Sequence, residues 1–266
     1  MEIMVLVKPV PLVEGVTLTI KGADIAKETL KFAINELDDY ALEKALLLKE
    51  KHGGKVTLLT VAPEKFRKHA EQIIREGYAK GADEAVAVLD PAFDNLDSYA
   101  AAKILADTVK TLKYDLILSG VQATDDGSAA VGTMVAEILG IPHAALVISL
   151  EPIDGKALKV RRELEEGVEE IVELPLPALL SIQSGTDTPR YAAFAKIRAA
   201  MKKEIKVLTA SGVGLQSDAV SSLRKVGPVS MQVPTVAKEA EMLTGTPEEE
   251  AAKLAQIIKE KGHGRA

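Results

Sequence analysis

Apolar runs and amphipathic stretches alternate along the first half of the chain. Short apolar runs bounded by turn residues are typical of buried strands, and four of them cover residues 2–7, 55–61, 84–89 and 115–118. Apolar residues at helical spacing predict helices over residues 40–51, 64–80, 99–112 and 128–139. Strands that alternate with helices of this length predict an α/β fold with a doubly wound, mainly parallel sheet.

Polar residues and glycines set the expected ends of these helices. Asp38 is a suitable N-cap for the first long helix and Asp97 for the third, because a carboxylate can accept hydrogen bonds from the N–H groups of a first turn. Gly53, Gly81 and Gly140 follow the last apolar positions of three helices, where glycine commonly ends a helix.

The pattern changes after Ala144 into a β-hairpin region. Asp154-Gly155 and Glu166-Gly167 separate strand-like segments, and both pairs are hairpin signals. Further short segments complete the prediction, with strands at residues 17–20, 146–150, 158–164, 168–174 and 178–182, and a helix at residues 191–203.

The last part of the chain predicts an arm that ends in a helix. Past Val207 the sequence loosens into Gly, Ser and Val-Pro segments. Thr246, Pro247 and Glu249 then have the arrangement of a capping box that opens a helix to Lys261. This helix either packs on another chain or folds back on its own domain, and the pattern alone favours neither.

Composition argues against several kinds of chemistry. The 266 residues include no cysteine and 4 histidines, so we expect no disulfide, no thiolate-ligated iron–sulfur cluster, no cysteine nucleophile and no metal site. A net charge of −6 argues against nucleic-acid binding. No apolar run approaches the ~20 residues of a membrane span, and the chain opens on a strand, so we expect a cytoplasmic protein. With 3% aromatic residues, any redox activity would need a bound cofactor.

The strongest candidate site is the loop between the fourth strand and the fourth helix, residues 119–132, with the sequence SGVQATDDGSAAVG. Gly120 allows close backbone approach, and a helix that starts at Ser128 would offer unpaired N–H groups and a partial positive charge to a phosphate. Asp125 and Asp126 are awkward neighbours for a phosphate and would instead bind ribose hydroxyls or fix the loop by local turns. A plain strand-to-helix turn is the alternative interpretation.

Residues at the ends of other strands support the prediction of a ligand site at this loop. Lys8 follows the first strand, Val61 ends the second, and residues 35–38 precede the first long helix. In a doubly wound sheet these positions face one cleft, where they would frame an adenosine, as in adenine-nucleotide-binding, Rossmann-like folds. Neither GxxxxGK[ST] nor GxGxxG occurs, and no Ser-His-Asp arrangement can be drawn, so we predict no catalytic residue.

Several linked motifs carry a resemblance to a known family. They are VLVKPVP, INELDDYALEKALLLKE, LTVAP, LILSGVQATDDGSAAVG, KVRRELEEG, LPALLSIQ and TPRYAAFAKIRAAMKK. Together they resemble the β subunits of electron-transfer flavoproteins from Met1 to about Val207, and the tail follows loosely. A universal-stress-type ATP-binding module, or a hydrolase or ligase of the same nucleotide-binding superfamily, are competing interpretations that lack these motifs.

The resemblance implies a heterodimer with an α subunit that carries most of a redox FAD at the subunit interface. It divides the chain into a nucleotide-binding domain, residues 1–207, and a C-terminal arm, residues 208–266, whose final helix packs on the partner subunit. A loop from Ser184 to Ala195, with Phe194 as apolar anchor, would recognise a dehydrogenase or a quinone-linked partner. The implied cofactor-binding residues are Leu6, Lys8, Asn35, Glu36, Leu37, Asp38, Val61, Gly120, Val121, Gln122, Ala123, Thr124, Asp125, Asp126, Gly127, Ser128, Ala129, Ala130 and Val131.

The sequence of the phosphate loop indicates which of the family's cofactors would bind in the β cleft. Family members that bind AMP tend to carry Asn-x-Thr-Gly-Gln, whereas members that bind a second FAD and bifurcate electrons tend to carry Thr-Ala-x-Val-Gly. Residues 128–132 of this chain read Ser-Ala-Ala-Val-Gly, which is closer to the second type. The resemblance therefore implies FAD in the β cleft and NADH as electron donor, with a structural AMP in a non-bifurcating protein as the alternative.

Overall fold

A computed structural model describes residues 1–185, 187–233 and 242–261. The chain divides into two compact units, Met1–Val229 and Ser230–Ala266. The functional division at residue 207 stays a prediction, and Thr186, which belongs to the predicted recognition loop, lies outside the described residues.

The first unit is built on a nine-stranded sheet in the order β11-β10-β9-β12-β8-β1-β6-β7-β13. The strands in chain order, two short pairs outside this sheet included, are β1 Glu2–Leu6, β2 Pro9–Pro11, β3 Ile20–Lys21, β4 Asp24–Ile25, β5 Phe32–Ile34, β6 Lys55–Pro63, β7 Glu84–Asp90, β8 Leu116–Gly120, β9 His143–Ile153, β10 Ala157–Glu163, β11 Glu169–Pro175, β12 Ala178–Ile182 and β13 Lys206–Leu208. The helices are α1 Glu36–His52, α2 Arg67–Lys80, α3 Ser98–Val109, α4 Val131–Leu139, α5 Phe194–Ala200, α6 Val220–Leu223 and α7 Pro247–Glu260.

In this spatial order, all neighbouring strands from β9 through β12, β8, β1, β6 and β7 to β13 are parallel. At the other end of the sheet, β10 pairs antiparallel with both β9 and β11. From β1 the chain moves outward through β6 and β7, then returns to place β8 on the other side of β1. The strand order therefore reverses between β1 and β8, and ligands of such sheets bind at the carboxyl ends of the strands at this switch point. The predicted α/β fold with a mainly parallel sheet and an added hairpin region is confirmed.

Helices cover both faces of the sheet, which explains why the central strands are continuous apolar runs. Ile3 and Val5 of β1 belong to the core on the α1 and α2 side. Met4 and Leu6 belong to the core on the α3 and α4 side. The β9–β10 hairpin turns at Asp154 and Gly155, with φ of 47° and 67°, the two left-handed residues of a type I′ turn.

Several predicted element ends were wrong. Asp38 does not cap α1, which begins two residues earlier, with Asn35 at the N-cap position. The fourth helix begins at Val131 rather than at Ser128, because the loop continues through Ala129 in a left-handed conformation with φ of 51°. The second and fifth helices are shorter than predicted, at Arg67–Lys80 and Phe194–Ala200. The strand predicted at residues 17–20 is shifted to Ile20–Lys21, and the strand predicted at residues 146–150 extends over His143–Ile153.

Two predicted caps are confirmed. The Asp97 carboxylate accepts a hydrogen bond from the N–H of Ala100 at 2.8 Å and so caps α3. In the second unit, Thr246 and Glu249 form the capping box of α7, where no residue is buried. Among the described residues, no helix has the length and apolar character needed to cross a membrane.

Candidate functional site

The amino end of α1 is tied to the carboxyl ends of β1 and β8 by one carboxylate. Asp38 accepts hydrogen bonds from the N–H of Lys8 at 2.8 Å and from the N–H of Gly120 at 3.0 Å. The residue is 6% exposed. Burial raises the pKa of Asp38 to about 7, although the hydrogen bonds it accepts oppose this rise. Asp38 therefore joins the two strands at the switch point.

Asn35 clamps the start of the loop that follows β8. Its Nδ2 donates to the carbonyl of Gln122 at 2.9 Å, and its Oδ1 accepts from the N–H of Thr124 at 3.1 Å. The backbone N–H of Asn35 also donates to the carbonyl of Lys8 at 3.0 Å. Because Asn35 is 1% exposed, these hydrogen bonds are shielded from water. A residue that is not part of the loop therefore fixes the loop in place.

Lys8 reaches the far half of the same loop. Its Nζ lies 2.6 Å from Oδ1 of Asp125 and 2.8 Å from Oδ2 of Asp126. Burial lowers the pKa of Lys8, but the charges and hydrogen bonds of the two carboxylates outweigh this effect and raise it. Asp126 also accepts a hydrogen bond from the N–H of Ser128 at 3.0 Å.

Small residues bring the loop and α4 close to the sheet. The N-cap position of α4 is Ala130, whose side chain makes no capping hydrogen bond, so the first-turn N–H groups are open to a ligand. A Cβ on Gly132 would lie 2.5 Å from the hydroxyl oxygen of Ser119, which is buried without a hydrogen-bond partner. Residues 122 and 124–129 are exposed, so an anion has access to the loop.

The structure therefore brings most of the predicted cofactor-binding residues together at the switch point. Leu6 is buried at the end of β1, and Val61 is half-buried near the end of the neighbouring β6. Glu36 instead lines a pocket of about 310 Å³ between α1, α2 and residues 188–192.

A wider groove of about 780 Å³ lies at the amino edge of the sheet, away from the loop. No cluster of His, Asp and Glu in the described ranges is arranged to hold a metal ion.

The predicted partner-recognition loop is fixed to α1 by ion pairs. Arg190 bonds to the buried carboxylate of Glu43 at 2.8 Å and also pairs with Glu50. Tyr191 and Phe194 follow this anchor and are 97% and 81% exposed. Sequence reasoning missed Glu43, although acidic residues at positions 36, 39, 43 and 50 recur at helical spacing and could have indicated an acidic stripe on α1.

Comparisons with known proteins identify the family of this chain. A family model described as the electron transfer flavoprotein domain matches residues 23–213. The electron transfer flavoprotein subunit beta of Methylophilus methylotrophus is 36% identical over 266 residues, or 98% of each chain. That of Thermoanaerobacterium thermosaccharolyticum is 36% identical over 262 residues, or 97% of this chain and 98% of its own. The caffeyl-CoA reductase-Etf complex subunit CarD of Acetobacterium woodii is 34% identical over 265 residues, or 98% of this chain and 99% of its own.

The family match includes Asn35, Asp38 and the whole loop after β8, whereas Lys8 precedes it. These matches set aside the universal-stress-type module and the hydrolase or ligase. They confirm the resemblance carried by the sequence motifs. The chain belongs to the electron transfer flavoprotein family, and along nearly its whole length it is similar to the family's β subunits.

Proposed function

We propose that this β subunit binds the adenine nucleotide part of a cofactor at the carboxyl ends of β1, β6 and β8. Its phosphates would lie against the loop from Gly120 to Val131 and the first turn of α4. Membership of the family implies that the protein functions together with a bound flavin and an α subunit. The heterodimer would pass electrons between dehydrogenases and acceptors, with the bound flavin supplying the redox chemistry.

The observation that carries the proposal is the loop held in place before α4. Asn35 and Lys8 fix its two halves from outside, so its backbone N–H groups need little reorganisation to meet a phosphate. The helix N-terminus adds a partial positive charge. A phosphate bound in this way needs no lysine or arginine of its own.

We further propose that the cofactor in this cleft is a second FAD and that the complex bifurcates electrons from NADH. Small side chains at Ala129, Ala130 and Gly132 favour this choice, because they leave space for a diphosphate. The similarity to a subunit named for a caffeyl-CoA reductase-Etf complex supports it. A structural AMP in a non-bifurcating heterodimer is the alternative.

The test is to purify the αβ complex, release its cofactors by denaturation and count FAD and AMP per heterodimer. Two FAD and no AMP are expected. One FAD and one AMP per heterodimer would contradict the proposal of a second FAD but would still support the nucleotide site. A single FAD without any further nucleotide would overturn the site itself.

A matched pair of variants tests where the phosphate binds. Ala130→Asp adds a carboxylate at the N-cap of α4, where it would repel a phosphate, whereas Ala130→Ser adds a polar side chain without charge. We expect the first variant to lose the β-cleft nucleotide and the second to retain it. Equal nucleotide content in both variants would contradict binding at this helix end.

We also propose that the segment from Ser184 to Ala195 docks on a dehydrogenase or a quinone-linked partner and that α7 packs on the α subunit. Phe194, Ile197 and Met201 are exposed at spacings of three and four residues, which forms an apolar stripe beside the fixed Arg190.

Phe194→Ala should slow electron transfer to the partner about tenfold or more. Val168→Ala, which shortens an exposed apolar side chain on the hairpin region, is the control and should leave the rate unchanged.

A further inference from the structure

The loop proposed to bind phosphate contains two carboxylates, those of Asp125 and Asp126. Negative side chains are unfavourable at an anion site because they repel the ligand. We propose that Lys8 is the internal counter-ion of Asp125 and Asp126, and that it permits the loop to accept a nucleotide phosphate without touching the phosphate itself. This inference rests on the proposed function, because it specifies how the same site tolerates its own negative charge.

The ammonium group of Lys8 is committed to the two aspartates. Its Nζ lies within 2.8 Å of an oxygen of each carboxylate, which are normal distances for charged hydrogen bonds. The Lys8 backbone is also fixed, since its N–H donates to Asp38 and its carbonyl accepts from the N–H of Asn35. The lysine is therefore held on the sheet while its side chain reaches across to the loop.

Charge balance explains why this contact matters for an anion. Asp125 and Asp126 contribute two formal negative charges, and Lys8 contributes one positive charge. Without Lys8, the carboxylates would repel each other and any phosphate bound at residues 127–131. The N–H of Ser128 offsets part of the charge on Asp126, and the pKa of that carboxyl is lowered because Lys8 and Ser128 outweigh the effect of its burial.

A direct Lys8–phosphate contact would predict a different response to mutation. If Lys8 binds phosphate, removing its charge weakens binding whether or not the aspartates are charged. If Lys8 acts through the aspartates, its removal matters in their presence and ceases to matter once they are neutral. A double-mutant cycle separates these two cases.

The experiment uses the αβ complex depleted of nucleotide, with AMP and FAD as the probes in calorimetric titrations. Lys8→Met should weaken binding about 10- to 100-fold at low salt, and raising the ionic strength should reduce the loss. The double variant Asp125→Asn/Asp126→Asn should bind at least as tightly as the wild type. Adding Lys8→Met to that background should change affinity less than about threefold, whereas a loss as large as in the wild-type background would overturn the proposal.

Hydrogen exchange of the nucleotide-free complex gives a second readout that does not depend on binding. Lys8→Met should speed exchange in residues 121–130, and the two Asn substitutions should restore slow exchange, because neutral side chains do not repel. Unchanged exchange in Lys8→Met would also count against the proposal. If the wild-type complex binds neither AMP nor FAD, the proposed function fails, and the exchange comparison still tests the pairing of Lys8 with the loop.

Discussion

The backbone N–H of Gly120 donates a hydrogen bond of 3.0 Å to Oδ1 of Asp38, although 82 positions separate the two residues. This bond attaches the end of β8 to the first turn of α1. The contact is so close that a Cβ on residue 120 would lie 2.6 Å from that oxygen and 2.7 Å from the carbonyl carbon of Leu37. Glycine is required here by space and not by an unusual φ.

Gly120→Ala should therefore destabilise the protein by about 1–3 kcal/mol, because neither the buried carboxylate nor the backbone of Leu37 can give way cheaply. The measurement is the shift in the urea unfolding midpoint of the complex. Gly212→Ala is the matched control, since its Cβ would meet a side chain at 3.5 Å, an ordinary contact. Equal shifts for the two variants would contradict the close approach.

Asn35→Asp should loosen the loop after β8. The substitution replaces the Nδ2 donor to the Gln122 carbonyl with an oxygen, so that carbonyl would face a second acceptor at the buried position 35. We expect a cost of about 1–3 kcal/mol and faster hydrogen exchange in residues 121–125. Exchange in Leu116–Gly120 of β8 serves as the internal control and should change little. A loop that stays protected would show that Asn35 is not its clamp.

Asp38 should make stability depend on pH in an unusual direction. Its pKa is about 7 in the folded protein against 3.8 for a free carboxyl, so the folded state holds more protons between these values. The stabilisation is complete below the unfolded pKa and declines as the pH rises to 7, by up to about 1.4 kcal/mol per pH unit.

The measurement compares unfolding of the wild type and Asp38→Asn from pH 5 to 8. The stability of the wild type relative to the variant should fall up to about pH 7 and then level off. Titration of the Asp38 carboxyl by NMR checks the same pKa without a mutation. A midpoint near 3.8 in that titration would disprove the prediction.

Arg190→Lys should weaken the attachment of residues 187–191 to α1. Lysine cannot reproduce the forked contacts of Arg190 with Glu43, and the buried Glu43 carboxylate would lose hydrogen bonds. We expect a cost of about 1–3 kcal/mol and faster proteolysis near Tyr191. Glu50→Gln removes the more exposed partner of Arg190 and should cost less than about 1 kcal/mol. Similar proteolysis of both variants would argue against Glu43 as the anchor.

Helix ends illustrate how far local signals reach. Asp97 and Thr246 cap the helices that the sequence predicts, because a cap is made within one turn of the chain. Asp38 has the same local chemistry, but its carboxylate accepts from Lys8 and Gly120 instead. Its distant partners compete with the cap, and a single sequence gives no information about them.

The candidate site divides in a similar way. Strand–helix alternation, apolar runs and hairpin glycines determine the parallel sheet and its added hairpins, since buried strands and turns carry their own periodicity and backbone requirements. The family motifs predict that residues 119–132 form a cofactor site. They do not show that Asp125 and Asp126 pair with Lys8, which lies 117 and 118 positions away.

By itself, the sequence determined the fold class, the position of the loop and the family, because these follow from local patterns and linked motifs. The tertiary structure alone decided which charged groups meet. Lys8, Asp38 and Glu43 each find their partners at the carboxyl edge of the sheet or on the face of α1. Ion pairs and buried carboxylates depend on distances across the fold, and those distances exist only once parallel strands lie side by side.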